Sequence, residues 1–152
     1  MTIVPTLRLA EYPELILRLG DVTGKRERAR KLAEAFHRQL ERLSVPEEVS
    51  VRRVCFELYS PGKIVGDASY LGDLIRAAGG KSIVSKTGLI SAEAVIEAAP
   101  EVIFYVEGFG NAAEIAARSA YAGTPAVRNG RICAVPRRLT VEGTRHIPTI
   151  SP

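Results

Sequence analysis

The feature that most constrains this chain is an alternation. From residue 49 onward, four short apolar runs (49–59, 82–84, 102–106 and 132–135) are separated by stretches with helical spacing, so the order reads β-α-β-α-β-α-β. Strands that alternate with helices pair in parallel, and the crossover helices come to cover both faces of the sheet. The expected fold is α/β: an open, mostly parallel four-stranded sheet with helices on both faces. Local punctuation agrees. Ser60-Pro61-Gly62 breaks the first strand, and residues 68–78 carry Leu71, Leu74, Ile75 and Ala78 on one side before Gly79-Gly80 stops them. Ser91 is placed to cap residues 92–98, which Pro100 closes, and Asn111 with Glu114 three residues on starts a helix to about Ala120. In such sheets a ligand meets the loops at the carboxyl ends of the strands. Here those loops are residues 59–67, 85–90, 107–110 and 136–144.

Ahead of this unit lies a different pattern. Residues 1–10 are extended in character. A short helix is expected over 12–19, with Pro13 in its first turn and Gly20 past its end. Thr23 is placed to cap the next helix, where Ala29, Leu32, Ala33, Phe36, Leu40 and Leu43 trace one face. That helix runs about 20 residues, or about 30 Å, until Pro46 ends it. A helix of this length beside a small α/β unit is a candidate spine between two bodies. The chain divides into residues 1–48 (strand remnant, short helix, spine helix) and 49–152 (the α/β lobe).

Composition excludes several classes. With 152 residues, 46% hydrophobic and 25% charged, the chain fits one folded domain and not a disordered one. No run reaches the ~18 apolar residues of a membrane span, and residues 1–10 lack a signal-peptide pattern, so the chain as it stands is expected in the cytoplasm. Much of the +4 net charge sits on the spine helix, in Lys25, Arg26, Arg28, Arg30, Lys31, Arg38 and Arg42. Glu27, Glu34 and Glu41 are interleaved with it, which reads as a solvated, salt-bridged face and not as a nucleic-acid surface. Cys55 and Cys133 lie in apolar runs and are expected to be buried free thiols. His37 and His146 share no ligand spacing, so no metal site is expected; a structural role suits His37 and a surface one His146. Gly80-Lys81-Ser82 fails as a P-loop, because Ile75 stands where a glycine is needed and a strand follows. Gly108-Phe109-Gly110, with Ala113 as the third small residue, has the context of a dinucleotide loop but lacks the acidic residue about 20 positions on. A nucleotide-binding enzyme is therefore the weakest reading, and no catalytic residue is assigned.

Five segments, in order and covering about residues 15–145, resemble one family. They are Leu19-Gly20-Asp21-Val22-Thr23-Gly24; residues 56–75 with Tyr59-Ser60-Pro61-Gly62 and Ser69-Tyr70-Leu71-Gly72-Asp73; Ala78-Gly79-Gly80-Lys81-Ser82-Ile83, with serine where asparagine is usual; Ser91-Ala92-Glu93 followed by Ala99-Pro100-Glu101-Val102-Ile103; and residues 124–135 around Asn129-Gly130-Arg131. Together they are similar to the C-terminal lobe, with its inter-lobe helix, of the solute-binding proteins of ABC transporters for vitamin B12 and ferric siderophores.

The resemblance implies a non-catalytic binding module for a metal chelate such as a ferric siderophore or cobalamin, with no cofactor of its own. It implies a periplasmic or extracellular setting, an ABC permease as partner, and a second, N-terminal lobe across the cleft. It places Glu57, Tyr59, Ser60, Ser69, Tyr70, Tyr105, Glu107, Arg137, Arg138 and Arg145 at the ligand edge, tyrosines packing on the ligand and arginines neutralising it. Glu93 matches a surface glutamate that engages the permease; an ordinary first-turn acid is its other reading. Lobe packing is the other reading for Tyr59 and Tyr70, a solvated turn for Arg137 and Arg138. A chain with one lobe of two is expected to bind weakly and to form a homodimer through residues 1–20 and the long helix; a truncated lobe acting as a homodimeric structural or interaction protein is the alternative reading. Neither nucleic acid nor membrane insertion is implied.

Overall fold

The computed structural model describes residues 8–43 and 51–141. Its centre is a six-stranded sheet built from β1 (Arg52–Glu57), β2 (Lys63–Ile64), β3 (Gly80–Ser82), β4 (Gly88–Leu89), β5 (Val102–Val106) and β6 (Ile132–Val135). The order is β4-β2-β1-β5-β6, with β3 also on β1. The four strands legible as apolar runs all pair in parallel: β1 with β3 (Val54 opposite Ser82), β1 with β5 (Val54 opposite Val102) and β5 with β6 (Phe104 opposite Cys133). The expected four-stranded sheet is therefore enlarged by two strands that were not read. Both β2 and β4 are two residues long and antiparallel, since the chain doubles back at Ser60-Pro61-Gly62 instead of leaving the sheet.

Side chains alternate along each strand, so each strand feeds two cores. Val54, Phe56 and Val106 pack with Leu71 and Ile75 of α3 (Tyr70–Ala77). Cys55, Ile103 and Tyr105 pack with Val95, Ile115, Tyr121 and Ala126. These come from α4 (Ala92–Ala98), α5 (Ala112–Ala117), α6 (Ser119–Ala122) and α7 (Pro125–Arg128). Helices thus cover both faces. The single helix expected from Asn111 to Ala120 is broken, because Arg118 takes an extended conformation (φ −69°, ψ 136°) between α5 and α6. The short helix α8 (Arg137–Val141) follows β6 where only a loop was expected.

Cysteine burial divides. Cys55 is buried, as its central strand requires, whereas Cys133 is exposed. Within the described residues β6 is the last strand in the sheet order, with a neighbour on one side only, so an apolar run there does not imply a buried one.

At the N-terminal end, a 3-10 turn (Leu9–Glu11) leads into α1 (Tyr12–Val22), which packs against the spine helix α2 (Arg26–Leu43). The spine is unbroken over 18 residues, about 27 Å. Gly20 lets the two helices meet: a Cβ there would lie 2.3 Å from that of Ala29. Thr23 does not cap α2 as expected; its hydroxyl donates to the Leu19 carbonyl and closes α1 (2.7 Å). His37 points outward and pairs with Glu41 (3.4 Å). The spine reaches the sheet layer through Phe36 and Leu40, which pack with Leu9, Tyr12, Tyr70 and Leu74. Beside them Arg8 grips Asp73 of α3 with two bonds from Nε (3.0 and 2.9 Å). The strand remnant, Pro46, Arg145 and His146 lie outside the described residues, and no helix within them is long and apolar enough to cross a membrane.

Candidate functional site

Strands β1, β5 and β6 all run toward the same edge, and their continuations supply one concavity there. It has a volume of about 320 Å³ and is lined by Leu58, Tyr59, Val65, Ser69, Tyr70, Lys86, Thr87 and Thr140, among others. Each lining group is held by local structure. Ser69 is the N-cap of α3: its hydroxyl donates to the Gly66 carbonyl (2.7 Å) and accepts from the Gly72 amide (3.1 Å). This cap fixes Tyr70 as the first helical residue. It also needs Gly72, because a Cβ there would sit 2.4 Å from the Gly66 carbonyl oxygen. Thr87 accepts from the Gly66 amide (2.9 Å) and brings the 85–90 loop to the same place.

The two tyrosines converge on one residue. Tyr59 hydroxyl lies 3.1 Å from Thr140 Oγ1, and Tyr70 hydroxyl donates to the Thr140 carbonyl. Burial, with Tyr59 and Tyr12 nearby, pushes the Tyr70 phenol up to about 12, so it stays a neutral donor at physiological pH. Tyr59 meets Phe109 edge-on (centroids 5.0 Å), and the Arg137 guanidinium lies over the Phe109 ring at 5.6 Å. The rim therefore presents a cation held on an aromatic face. An apolar hollow with a few hydroxyls, Lys86 and a rim arginine can take a flat, partly apolar anion.

Of the sequence-designated residues, Tyr59, Ser69 and Tyr70 line this concavity, and Arg137 stands at its rim. Others do not join them. Glu57 is only 1% exposed and is spent inside the protein: Arg118 and Tyr121 donate to its carboxylate (Tyr121 at 2.7 Å), and the Gly62 amide adds a third bond (2.9 Å). Tyr105 is in the core on the same face. Ser60 belongs to the β1–β2 turn, where its carbonyl accepts from the Lys63 amide (3.1 Å). Glu107 and Arg138 are exposed but do not line the hollow. Glu93 is exposed in the first turn of α4, its pKa lowered by its own backbone amide and by Ser91. Lys86, Thr87, Phe109 and Thr140 were not singled out from sequence, although the loops expected at the ligand edge contain all four.

A larger hollow, about 680 Å³, lies between the 3-10 turn and α3. Its charged groups are occupied with one another, Arg8 and Arg76 both pairing with Asp73. Among the described residues no three His, Cys, Asp or Glu side chains converge to hold a metal ion.

The family model for periplasmic binding proteins matches residues 2–139. No curated protein matches. Among solved structures, an ABC transporter substrate-binding protein from Listeria monocytogenes EGD-e superposes with a TM-score of 0.76 at 21% identity, over 88% of this chain and 57% of that one. S. aureus IsdE complexed with heme gives 0.77 at 18% identity, over 95% of this chain and 64% of that one. The periplasmic heme-binding protein RhuT from Roseiflexus sp. RS-1 gives 0.75 at 22% identity, over 87% of this chain and 55% of that one. The chain spans less than two thirds of the length of each.

Proposed function

This chain belongs to the periplasmic binding protein family, and on that premise we propose that it is the solute-binding lobe of an ABC importer for a flat metal chelate of the haem or ferric-siderophore class. The family is one of binding proteins and not of enzymes. The observation that carries the ligand reading is the cluster at the carboxyl ends of the strands: Tyr59 and Tyr70 in an apolar hollow, with Arg137 stacked on Phe109 at its rim. Aromatic faces pack on a macrocycle, while guanidinium and ammonium groups offset its carboxylates. Of the three solved structures reported above, two are named for heme, which favours a porphyrin over the larger corrinoid. Glu93, exposed at the head of α4, fits docking to a permease.

In this reading the chain forms one wall of a cleft. With half the enclosing surface its affinity for haemin is expected in the micromolar range. Absorbance titration of the protein with haemin, a ferric hydroxamate siderophore and cobalamin tests it. Saturable one-to-one binding of haemin, above either competitor, is the expected result; equal, non-saturating uptake of all three defeats the reading.

A second feature favours a partner on α1. Leu15, Leu19 and Val22 recur at helical spacing on one stripe of α1, with Leu19 54% and Val22 86% exposed, and Leu32 of α2 is also exposed. We propose a homodimer or a second lobe on this surface. Light scattering across a concentration series distinguishes a dimer from a monomer that awaits another chain.

A further inference from the structure

The helix that follows β6 contributes Thr140 to the wall of the candidate ligand hollow and is fastened there by the same side chains that would meet a ligand. Thr140 is 5% exposed and forms part of the hollow's wall. Its hydroxyl donates to the Arg137 carbonyl (2.8 Å), which leaves the oxygen to accept from Tyr59, and its carbonyl accepts from Tyr70. One turn earlier, Arg137 is held over Phe109. Apart from these fastenings, α8 packs extensively against no other element among the described residues. Among the described residues it is five residues long and follows an edge strand at Pro136, and its Leu139 amide bonds back to the Pro136 carbonyl (2.9 Å), a bond of its own first turn. A segment held by a few polar contacts and little buried apolar area belongs to the low-stability end of a fold and opens locally.

The size of the hollow makes the opening matter. At about 320 Å³ it stands at the bottom of the range for small-molecule sites, about 300–1,000 Å³. The hydroxyls of both ligand-edge tyrosines are already engaged by α8. A ligand as large as a metal macrocycle must take the place of Thr140 to reach them.

We propose that α8 is a strap: in the free protein its Thr140 end occupies the tyrosine hydroxyls and part of the ligand's volume, and that end unwinds from the hollow when ligand binds, while Arg137 stays on Phe109. The inference rests on the ligand reading above and adds a conformational step to it. Binding is then slower than simple docking, and the apparent affinity is reduced by the fraction of molecules in which the strap is closed. Loosening the strap without touching the tyrosines has to speed binding.

Thr140→Val tests this, because it keeps the shape of the side chain and removes the hydroxyl that receives Tyr59. Thr140→Ser keeps the hydroxyl and serves as the control. Stopped-flow mixing of the full chain with haemin is expected to show about fivefold faster association for Thr140→Val, the weight of one ordinary hydrogen bond, and an unchanged rate for Thr140→Ser. An equal or slower rate for Thr140→Val makes α8 a brace and overturns the strap. Amide hydrogen exchange decides the same point without a ligand. The α8 amides are expected to exchange far faster than those of β5 and faster still in Thr140→Val; protection equal to that of β5 overturns the strap. If neither protein binds haemin, the ligand reading fails, and the exchange result still decides whether α8 opens.

Discussion

Two polar clusters meet near the carboxyl end of β1. They are built from nearly the same residue types and do opposite things. In one, Glu57, Arg118 and Tyr121 lie on the core face with Cys55. There the carboxylate is buried and its acceptor positions are filled by the chain itself. In the other, Tyr59 and Tyr70 stand half-open on a hollow against the buried Thr140, with Arg137 at its lip. A tyrosine, an acid and an arginine at a strand end are therefore not evidence of a binding site by themselves. A group whose hydrogen bonds close within the core is a brace, and one whose hydrogen bonds face a concavity is available.

The comparison predicts opposite responses to mutation. The largest effect is expected for Glu57→Ala. Breaking a buried pair strands the remaining charge and costs about 3–5 kcal/mol. Arg118 keeps 28% of its side chain in water, which places the cost at the lower end, about 3 kcal/mol. At roughly 2–4 °C per kcal/mol for a chain of this size, the thermal midpoint should fall by about 6–12 °C. A change below about 2 °C would remove the distinction between brace and site. Arg137→Glu should do the reverse. It is a surface change expected to stay within about 0.5 kcal/mol in stability. Placing a carboxylate where a guanidinium faced the ligand should weaken binding of an anionic chelate about tenfold. An affinity unmoved by the charge reversal would take Arg137 out of the site.

The smallest effect sharpens the comparison through pH. Burial, against the opposing pull of the Tyr121 hydrogen bond, pushes the Cys55 thiol from 9.0 up to about 12. The unfolded chain therefore releases this proton first, and the native state loses stability as pH rises from about 9 toward 12. Burial pushes Tyr121 up as well, and it acts in the same direction. The denaturation midpoint at pH 10.5 should lie below that at pH 8, and Cys55→Ala should narrow the gap. A thiol reagent at pH 8 should modify Cys133 alone until the protein is unfolded. Two reactive thiols in the native protein would show that the braced face is open.

The same contrast marks what the sequence conveys. The parallel pairing of β1, β3, β5 and β6, the helices on both faces and the unbroken spine were legible, because periodicity and capping residues are local signals of buried faces. The strands β2 and β4 were not, since two residues carry no period. Nor was the break at Arg118, where the helical pattern continues through a residue pulled out to reach Glu57. Tyr59, Ser69, Tyr70 and Arg137 fell at the expected edge. Glu57 and Tyr105 share that edge by position but are turned inward by their pairing, opposite one another on β1 and β5. Lys86, Thr87, Phe109 and Thr140 have no spacing relation to one another, and only the assembled loops bring them together.

The way β1 is flanked bears on how the chain assembles. One edge of β1 is shared by β2 and β3, the other is taken by β5. The β2 pairing joins Glu57 to Ile64, seven residues along the chain, whereas those to β3 and β5 join Val54 to Ser82 and to Val102. Closing a short hairpin takes about 1–10 μs, and non-local parallel pairings come later because longer loops must be closed first. The turn that carries Tyr59 is then the most local piece of the sheet, able to close before the parallel strands pair.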